Sequence, residues 1–90
     1  MFPKPYYVYF LISLQTTGRN YIGVTQQNPA ERLENHNSKC NASTREHAPW
    51  KLLTYMVFPT SEAAYQFEKY LHTGSGRAWA NKHIFKQIQN

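Results

Sequence analysis

Two runs of aromatic and β-branched residues, joined by a short polar turn, restrict the fold of this chain more than any other feature. Residues 6–14 read YYVYFLISL, and residues 20–25 read NYIGVT. Side chains of these types favour strands. Gly18, in the segment between them, can adopt the positive φ that a tight turn requires. The pattern predicts a β-hairpin, so we expect a fold organised around a sheet.

Alternation along the two strands predicts which side chains share a face, because successive residues of a strand point to opposite sides. The apolar face consists of Val8, Phe10 and Ile12 in the first strand and Ile22 and Val24 in the second. Tyr9 and Tyr21 then emerge together from the opposite face. A turn centred near Gln15 would place the two tyrosines opposite one another, whereas a turn centred on Thr17 and Gly18 would offset them by several residues. The sequence leaves both registers open.

The segment after the hairpin carries the start signals of a helix. Asn28 is a suitable N-cap and Pro29 suits the first helical position, so a helix is expected from Pro29 to about Asn37. Arg32 and His36 lie four residues apart and therefore share one face of this helix. Such a pair alone is more often a solvated helix face than a functional site, so the spacing leaves both interpretations open.

The second half of the chain predicts a third strand and two further helices. Residues 51–58 read KLLTYMVF and favour a strand, Thr60 is a suitable N-cap for the next helix, and Gly74 is its C-terminal stop. Glu68 lies at the edge of that helix's apolar stripe, an unusual position for a surface charge. It could simply pair with Lys69 or with Arg32 across the core. The GSG at 74–76 predicts a flexible joint before a basic terminal helix. The apolar contacts expected from the terminal helix are Ala78, Trp79, Ile84, Phe85 and Ile88.

The balance of charge narrows the choice of partner. The 90 residues include ten Lys and Arg against five Asp and Glu, giving a formal net charge of +5, and 16% of the residues are aromatic. Basic surfaces attract polyanions and aromatic rings stack on bases, so nucleic acid is the favoured partner. A soluble basic domain without such a partner explains the charge equally well. The length fits one domain over residues 1–90.

The sequence also carries signals of cellular context. The single cysteine, Cys40, excludes an internal disulfide framework and fits a reducing cytosol. Segment 1–14 places two prolines before its apolar run and lacks a small-residue cleavage site, so it is not interpreted as a signal peptide. No run approaches the ~18 apolar residues of a membrane span. We expect a soluble, cytoplasmic protein with no membrane partner.

Several short motifs, in a fixed order, resemble the GIY-YIG nuclease superfamily. They are YVY at 7–9, YIG at 21–23, Arg32, His36, and Glu68 in a later helix. The likeness is greatest to the small stand-alone members. Their further motifs are matched by HN at 36–37, STR at 43–45, PW at 49–50 and EKYLHTGSGRA at 68–78. No single motif is specific, but the ordered set from Tyr6 to Ile84 is. Tyr7 and Val8 stand where the first motif has Gly and Ile, a departure expected to matter little.

The resemblance implies an α+β fold, in which a three-stranded antiparallel sheet is flanked by helices in the order ββαβαα. It implies an endonuclease, dependent on Mg²⁺ or Mn²⁺, that hydrolyses the phosphodiester bonds of double- or single-stranded DNA. The catalytic residues implied are Tyr9, Tyr21, Arg32, His36 and Glu68, with Glu68 as the metal ligand. Tyr9 is the implied base, with His36 orienting it or sharing its proton, and the sequence does not decide between them. Asn81 is a tentative further residue near the metal, and no other small-molecule cofactor is expected.

Basic side chains near loops and helix ends are expected to neutralise phosphates without reading base sequence. They are Lys39, Arg45, Lys51, Arg77 and Lys82. Trp50 or Trp79 could stack on a base, although both are more natural as core residues. His47, His72 and His83 are interpreted as ordinary surface residues. The alternative function is a catalytically weak nucleic-acid-binding module on the same scaffold, and the alternative substrate is RNA.

Overall fold

A computed structural model of the chain describes residues 4–38 and 41–86. Lys39, Cys40 and Ile88 therefore lie outside the described residues. The elements in chain order are β1 (Tyr6–Ser13), β2 (Asn20–Thr25), α1 (Pro29–Asn37), a 3₁₀ turn (Arg45–His47), β3 (Trp50–Phe58), α2 (Ser61–Leu71), α3 (Gly74–Ala80) and a π-helical turn (Asn81–Phe85) that continues α3. Within these residues, no helix has both the length and the apolar character needed to span a membrane.

The three strands form one antiparallel sheet in the order β2-β1-β3. The predicted α+β architecture with the element order ββαβαα is confirmed. β1 is the central strand, and Val8, Tyr9, Phe10 and Leu11 are each no more than 1% exposed. Side chains on both faces of β1 are therefore core residues, which explains its almost uninterrupted apolar sequence.

The hairpin register lies between the two alternatives that the sequence left open. Tyr9 pairs with Gly23, and Leu11 pairs with Tyr21, so the two tyrosines are offset by two residues. This offset makes them diagonal neighbours on one face of the sheet, which is close enough for aromatic side chains to meet. Gly18 has a φ of +83°, the left-handed turn conformation that favours glycine.

Each face of the sheet has its own core. Val8 and Phe10 pack with Leu71 of α2 and with Phe85 beyond α3. On the other face, Tyr9, Leu11 and Trp50 pack with Tyr21, Leu33 and Leu52. α2 and α3 therefore cover one face and α1 covers the other, as the predicted alternation requires.

The connection between α2 and α3 differs from the predicted flexible joint. α2 ends at Leu71, and α3 begins directly at Gly74 with Thr73 as its N-cap, whose hydroxyl accepts a hydrogen bond from the Gly76 backbone. Gly76 is buried, and a Cβ there would collide with the backbone carbonyl of Tyr70. The glycine permits close packing of two helices rather than flexibility, so the joint is a tight corner.

Candidate active site

Tyr9 and His36, which belong to different elements, are in contact on the face of the sheet that α1 covers. The Tyr9 hydroxyl on β1 lies 2.9 Å from Nε2 of His36 on α1. Tyr9 is 1% exposed and His36 is fully buried, so this polar contact is shielded from solvent. The Asn28 side chain caps the first turn of α1 by accepting from the Ala30 backbone N–H at 2.9 Å. His36 is in the last turn of the same helix, on the side whose Leu33 packs against the Tyr9 core. Two residues that the sequence placed on separate elements thus share one hydrogen bond.

Gly23 provides the space that Tyr9 occupies. A Cβ at residue 23 would lie 2.5 Å from the Tyr9 hydroxyl oxygen and 2.9 Å from a ring carbon of Tyr21. Real Cβ atoms do not approach other atoms so closely, so any side chain here would displace one of the two rings. The glycine of the YIG motif is therefore needed by the tyrosines rather than by a turn.

Tyr21 lies beside this pair and is only partly buried. Its ring centroid is 6.1 Å from that of Tyr9 and 5.1 Å from that of His36. Trp50 closes the far side of the group at 6.3 Å from Tyr21. Trp50 is 3% exposed, so it belongs to the core rather than to a base-stacking surface.

Thr44 is hydrogen-bonded to the second ring nitrogen of His36. Its hydroxyl oxygen lies 2.7 Å from Nδ1 of His36, and its backbone carbonyl accepts a hydrogen bond from the Trp50 indole at 2.8 Å. Thr44 is fully buried. Reasoning from the sequence missed this contact, because it joins positions eight residues apart across a loop. The STR motif at 43–45 was the available signal.

Burial and Arg32 set the protonation of these groups. Burial raises the pKa of Tyr9, the Arg32 guanidinium opposes this by hydrogen bonding and by its charge, and the neighbouring Tyr21 raises the pKa further. Burial lowers the pKa of His36 to about 4, and the positive charge of Arg32 acts in the same direction. Near neutral pH, His36 is therefore a neutral imidazole and Tyr9 a neutral phenol. Arg32, predicted to share a face with His36, supplies the positive charge at this site.

Glu68 lines a separate cavity that reaches the same group through Tyr21. The cavity has a volume of about 530 Å³, and its walls include Tyr21, Glu68, Arg77 and Asn81. Tyr9 and His36 lie behind Tyr21 and are not part of these walls. Glu68 is on the inner edge of α2, as its place beside the apolar stripe predicted, and its side chain is 26% exposed.

His72 is a residue of the cavity that sequence reasoning set aside as ordinary surface. Its Nε2 lies 2.6 Å from Oε2 of Glu68, one helical turn away. The side chain is 53% exposed, so it is a surface residue that nevertheless contacts the predicted metal ligand. The spacing of four residues from Glu68 was the available signal. His47 is likewise more than a surface residue, because its Nδ1 lies 3.0 Å from the Thr16 hydroxyl and its carbonyl accepts from Ser13.

The donor atoms of the cavity fit a hard divalent cation. Glu68 offers a carboxylate and Asn81 an amide oxygen among the residues that line the cavity. Among the described residues, no group of three or more His, Cys, Asp and Glu side chains could hold a metal by itself. Mg²⁺ prefers oxygen ligands and keeps several waters, so one carboxylate and the phosphate of a substrate can complete its coordination.

The predicted phosphate-neutralising residues fall into three groups. Arg77 lines the Glu68 cavity, and Lys82 lines a shallower cavity of about 410 Å³ that shares Asn81 and Phe85 with it. Arg45 and Lys51 are exposed and line neither cavity. Lys39 lies outside the described residues. Trp79, the other candidate for base stacking, packs against the ring of Phe67 at 5.9 Å.

An α+β domain with paired tyrosines on one sheet face and a carboxylate in an adjoining cavity has the form of a small nuclease domain. The family model described as the GIY-YIG catalytic domain matches residues 5–82, and the chain belongs to this family. The resemblance predicted from the ordered motifs is thereby confirmed.

A curated relative gives a second comparison. The chain is similar to "Structure-specific endonuclease subunit slx1" of Schizosaccharomyces japonicus (strain yFS275 / FY16936), with 40% identity over 68 residues. The matched segment is 70% of this chain and 24% of the relative. The chain therefore spans about a quarter of that relative's length, and the comparison bears on the nuclease domain rather than on the whole relative.

Proposed function

We propose that this domain is a metal-dependent endonuclease that hydrolyses phosphodiester bonds of DNA. The observation that carries the proposal is the position of Tyr21, which lines the cavity of Glu68 while its ring lies 6.1 Å from that of Tyr9. One side chain thus connects the carboxylate to the buried tyrosine and histidine pair. The name of the relative supports endonuclease activity, and the net charge of +5 supports a nucleic acid as the substrate.

In this mechanism the base is the ionised fraction of Tyr9: the attacking water gives its proton to the Tyr21 hydroxyl oxygen as Tyr21 passes its own proton to the Tyr9 phenolate. Tyr21 stands at the boundary of the cavity, and Tyr9 lies behind it as the base. Arg32 compensates negative charge on the phosphate with a planar set of donors. It also favours the phenolate of Tyr9, because its charge lowers the Tyr9 pKa. General bases of this kind contribute about 10²–10⁴-fold to rate.

Glu68 would hold the divalent ion, with Asn81 as a further oxygen donor and His72 orienting the carboxylate. When bound, Mg²⁺ or Mn²⁺ stabilises the charge that develops on the phosphate oxygens in the transition state. Glu68 is the assigned metal ligand because it lines the cavity from the edge of α2. Arg77, which lines the same cavity, would hold a non-bridging phosphate oxygen.

The substrate strand would leave the cavity along α3. The shallower cavity begins at Asn81 and Phe85 and is lined by Lys82 and Lys86. A backbone phosphate next to the scissile one would be neutralised there. Arg45 and Lys51 line neither cavity, and we assign them, together with Lys39, to outer phosphates. The single cysteine, Cys40, is compatible with a reducing compartment, so we place this activity in the cytoplasm.

Cleavage of labelled DNA with and without Mg²⁺ tests this function. Single-stranded, double-stranded and branched substrates are compared for the wild-type protein, Glu68→Gln and Glu34→Gln. We expect metal-dependent cutting that Glu68→Gln reduces by at least about 10²-fold. Glu34→Gln removes a comparable exposed charge from α1, outside the cavity, and should cut normally. Cutting that is equally fast in Glu68→Gln would refute the assigned metal ligand.

A nucleic-acid-binding module without significant catalysis is the second candidate. The same basic and aromatic composition supports it. Binding of every substrate with no cutting in Mg²⁺ or Mn²⁺ would favour this candidate. An RNA arm in the same assay distinguishes DNA cleavage from RNA processing.

A further inference from the structure

We propose that Thr44 is a positioning residue that fixes the tautomer of His36. In this arrangement the Thr44 hydroxyl donates its hydrogen to Nδ1, so the imidazole carries its own hydrogen on Nε2 and donates it to the Tyr9 hydroxyl oxygen. The effect on cleavage rests on the proposed nuclease function. The tautomer itself does not, because it is a property of the protein without metal or DNA.

His36 makes two hydrogen bonds, and each of its ring nitrogens takes part in one of them. Nε2 lies 2.9 Å from the Tyr9 hydroxyl, and Nδ1 lies 2.7 Å from the Thr44 hydroxyl. A neutral imidazole has one N–H and one lone pair, so it donates to one of these hydroxyls and accepts from the other. The positions of the heavy atoms allow both tautomers, and the hydroxyl hydrogens must decide between them.

The hydroxyl hydrogen of Thr44 decides which tautomer His36 adopts. Thr44 is fully buried, and among the described residues Nδ1 of His36 is the hydrogen-bond partner of its hydroxyl. If Nδ1 carried the hydrogen, the Thr44 hydroxyl would accept from it, and its own hydrogen would be buried without an acceptor. Leaving a buried donor unpaired is costly. If Thr44 donates to Nδ1, the hydrogens of Thr44 and His36 both have acceptors, and the Tyr9 hydroxyl hydrogen can turn to Tyr21, whose hydrogen bonding with Tyr9 contributes to the raised pKa of that phenol. Thr44 has no such second partner among the described residues.

The surrounding motifs hold Thr44 in place. Its carbonyl accepts from the Trp50 indole at 2.8 Å. Asn37 brackets the backbone of Trp50, accepting from its N–H at 2.5 Å and donating to its carbonyl at 3.0 Å. The HN, STR and PW motifs, which are separated in sequence, therefore form one hydrogen-bonded unit around the imidazole.

This tautomer assigns different roles to Tyr9 and His36. Because Nε2 donates, it cannot take a proton from Tyr9, and the hydroxyl hydrogen of Tyr9 turns to Tyr21 instead. The charged and titratable groups around Tyr9 are Arg32 and His36 on α1 and Tyr21 on β2. A donated hydrogen bond stabilises the phenolate over the phenol. Tyr9 is then the base, and His36 orients it.

Nitrogen-15 NMR of histidine-labelled protein tests the tautomer directly, since a ring nitrogen with a hydrogen has a different chemical shift from one without. The His36 signals are assigned with His36→Gln, and the spectra are recorded near neutral pH without metal or DNA. We expect Nε2 to carry the hydrogen in the wild-type protein and in Thr44→Ser. A hydrogen on Nδ1 in the wild-type protein would overturn the proposal, whether or not the protein cuts DNA.

The rate of cleavage tests the consequence with a matched pair of variants. Thr44→Val keeps the shape of the side chain but removes the hydroxyl, whereas Thr44→Ser keeps the hydroxyl. We expect Thr44→Val to lower kcat about tenfold with KM unchanged, and to move the alkaline midpoint of activity up by about one pH unit. Thr44→Ser should keep a kcat and an alkaline midpoint close to those of the wild-type protein. A folded Thr44→Val protein with the wild-type pH profile would show that Thr44 serves packing alone.

Discussion

Tyr9 occupies a position that a purely structural sheet would give to an aliphatic residue. It is on the central strand and 1% exposed, and burial raises the pKa of its hydroxyl. Arg32 opposes that rise, and under the proposed tautomer His36 does so as well. The site thus buries a phenol while retaining two groups that favour its ionised form. Such opposing influences on one side chain are typical of functional sites.

Replacing Tyr9 by Phe removes the hydroxyl but keeps the ring, so it tests the role of the hydroxyl alone. We expect cleavage by Tyr9→Phe to fall by about 10²–10⁴-fold, because the base is lost while the ring remains. The unfolding free energy should fall by about 1–3 kcal/mol, because the Nε2–H of His36 is left buried without its acceptor. In the wild-type protein, cleavage should rise with pH as the phenolate fraction grows.

Single-turnover cleavage across pH and chemical denaturation measure these two effects. Tyr55→Phe is the matched control, since Tyr55 is on the neighbouring strand β3 but is 46% exposed. It should cut and unfold like the wild-type protein. If Tyr9→Phe retains the wild-type rate and pH profile, Tyr9 is a packing residue and the base must be sought elsewhere.

At the scale of elements, local signals predicted most of the fold. Asn28 and Pro29 fixed the start of α1, and α1 ends at Asn37 as expected. The alternation in β1 and β2 placed Tyr9 and Tyr21 on one face, because a period of two leaves no other choice. The family resemblance, not periodicity, supplied the roles of the site residues.

Longer-range features were not available from such signals. The offset of Tyr9 and Tyr21 depends on which turn the 15–19 segment forms, and several turns were compatible with its sequence. The contacts of His36 with Thr44 and of Glu68 with His72 need coordinates or an explicit motif, since reach and rotamer decide them. The corner at Gly76 was misread as flexible because a glycine that permits close packing looks the same in sequence as one that permits motion.

Two glycines of the same helix test the corner between α2 and α3. A Cβ at residue 76 would collide with the backbone of Tyr70, whereas a Cβ at residue 74 would meet nothing within 4 Å. Gly76→Ala should therefore lower the unfolding free energy by about 3 kcal/mol or more, because backbone must move. Gly74→Ala should leave it unchanged or raise it by up to about 1 kcal/mol, since alanine is the better helix former.

Urea denaturation of both variants gives the comparison. Because α2 carries Glu68 and α3 carries Arg77, a shifted corner should also slow cleavage by Gly76→Ala at temperatures where it is folded. Equal stability of the two variants would mean that α2 and α3 do not pack as tightly as described.

At the scale of the whole molecule, the charges are arranged along the proposed path of the substrate. Arg77 lines the cavity of Glu68, and Lys82 lines the adjoining one. Arg77→Ala and Lys82→Ala should each weaken DNA binding. Each should also reduce the slope of log K against the logarithm of the salt concentration by about 0.7–0.9. Fluorescence anisotropy in the absence of divalent metal measures binding without cutting.

Lys69→Ala is the control for these two variants. Lys69 is an exposed lysine of α2 that lines neither cavity, and its loss changes the net charge by the same amount. It should leave the slope unchanged. If all three variants reduce the slope equally, DNA responds to the overall charge of the domain rather than to this path.

The buried histidine also links the site to the stability of the whole domain. The pKa of His36 is lowered from 6.5 to about 4, so the unfolded chain binds its proton more readily than the folded protein. Stability from this group is fully present above 6.5 and is lost as the pH falls towards 4. Between about pH 7 and about pH 5, the unfolding free energy should fall by about 2 kcal/mol on this account.

Denaturation midpoints at these two pH values, for the wild-type protein, His36→Gln and His83→Gln, test the linkage. His36→Gln is expected to be less stable near neutral pH, because it disturbs the contacts with Tyr9 and Thr44, but its stability should decline less on acidification. His83 is exposed, so His83→Gln should keep the wild-type decline. An undiminished decline in His36→Gln would mean that His36 accepts a proton in the folded protein. The neutral imidazole assigned to the site would then be wrong, and with it the donor role towards Tyr9.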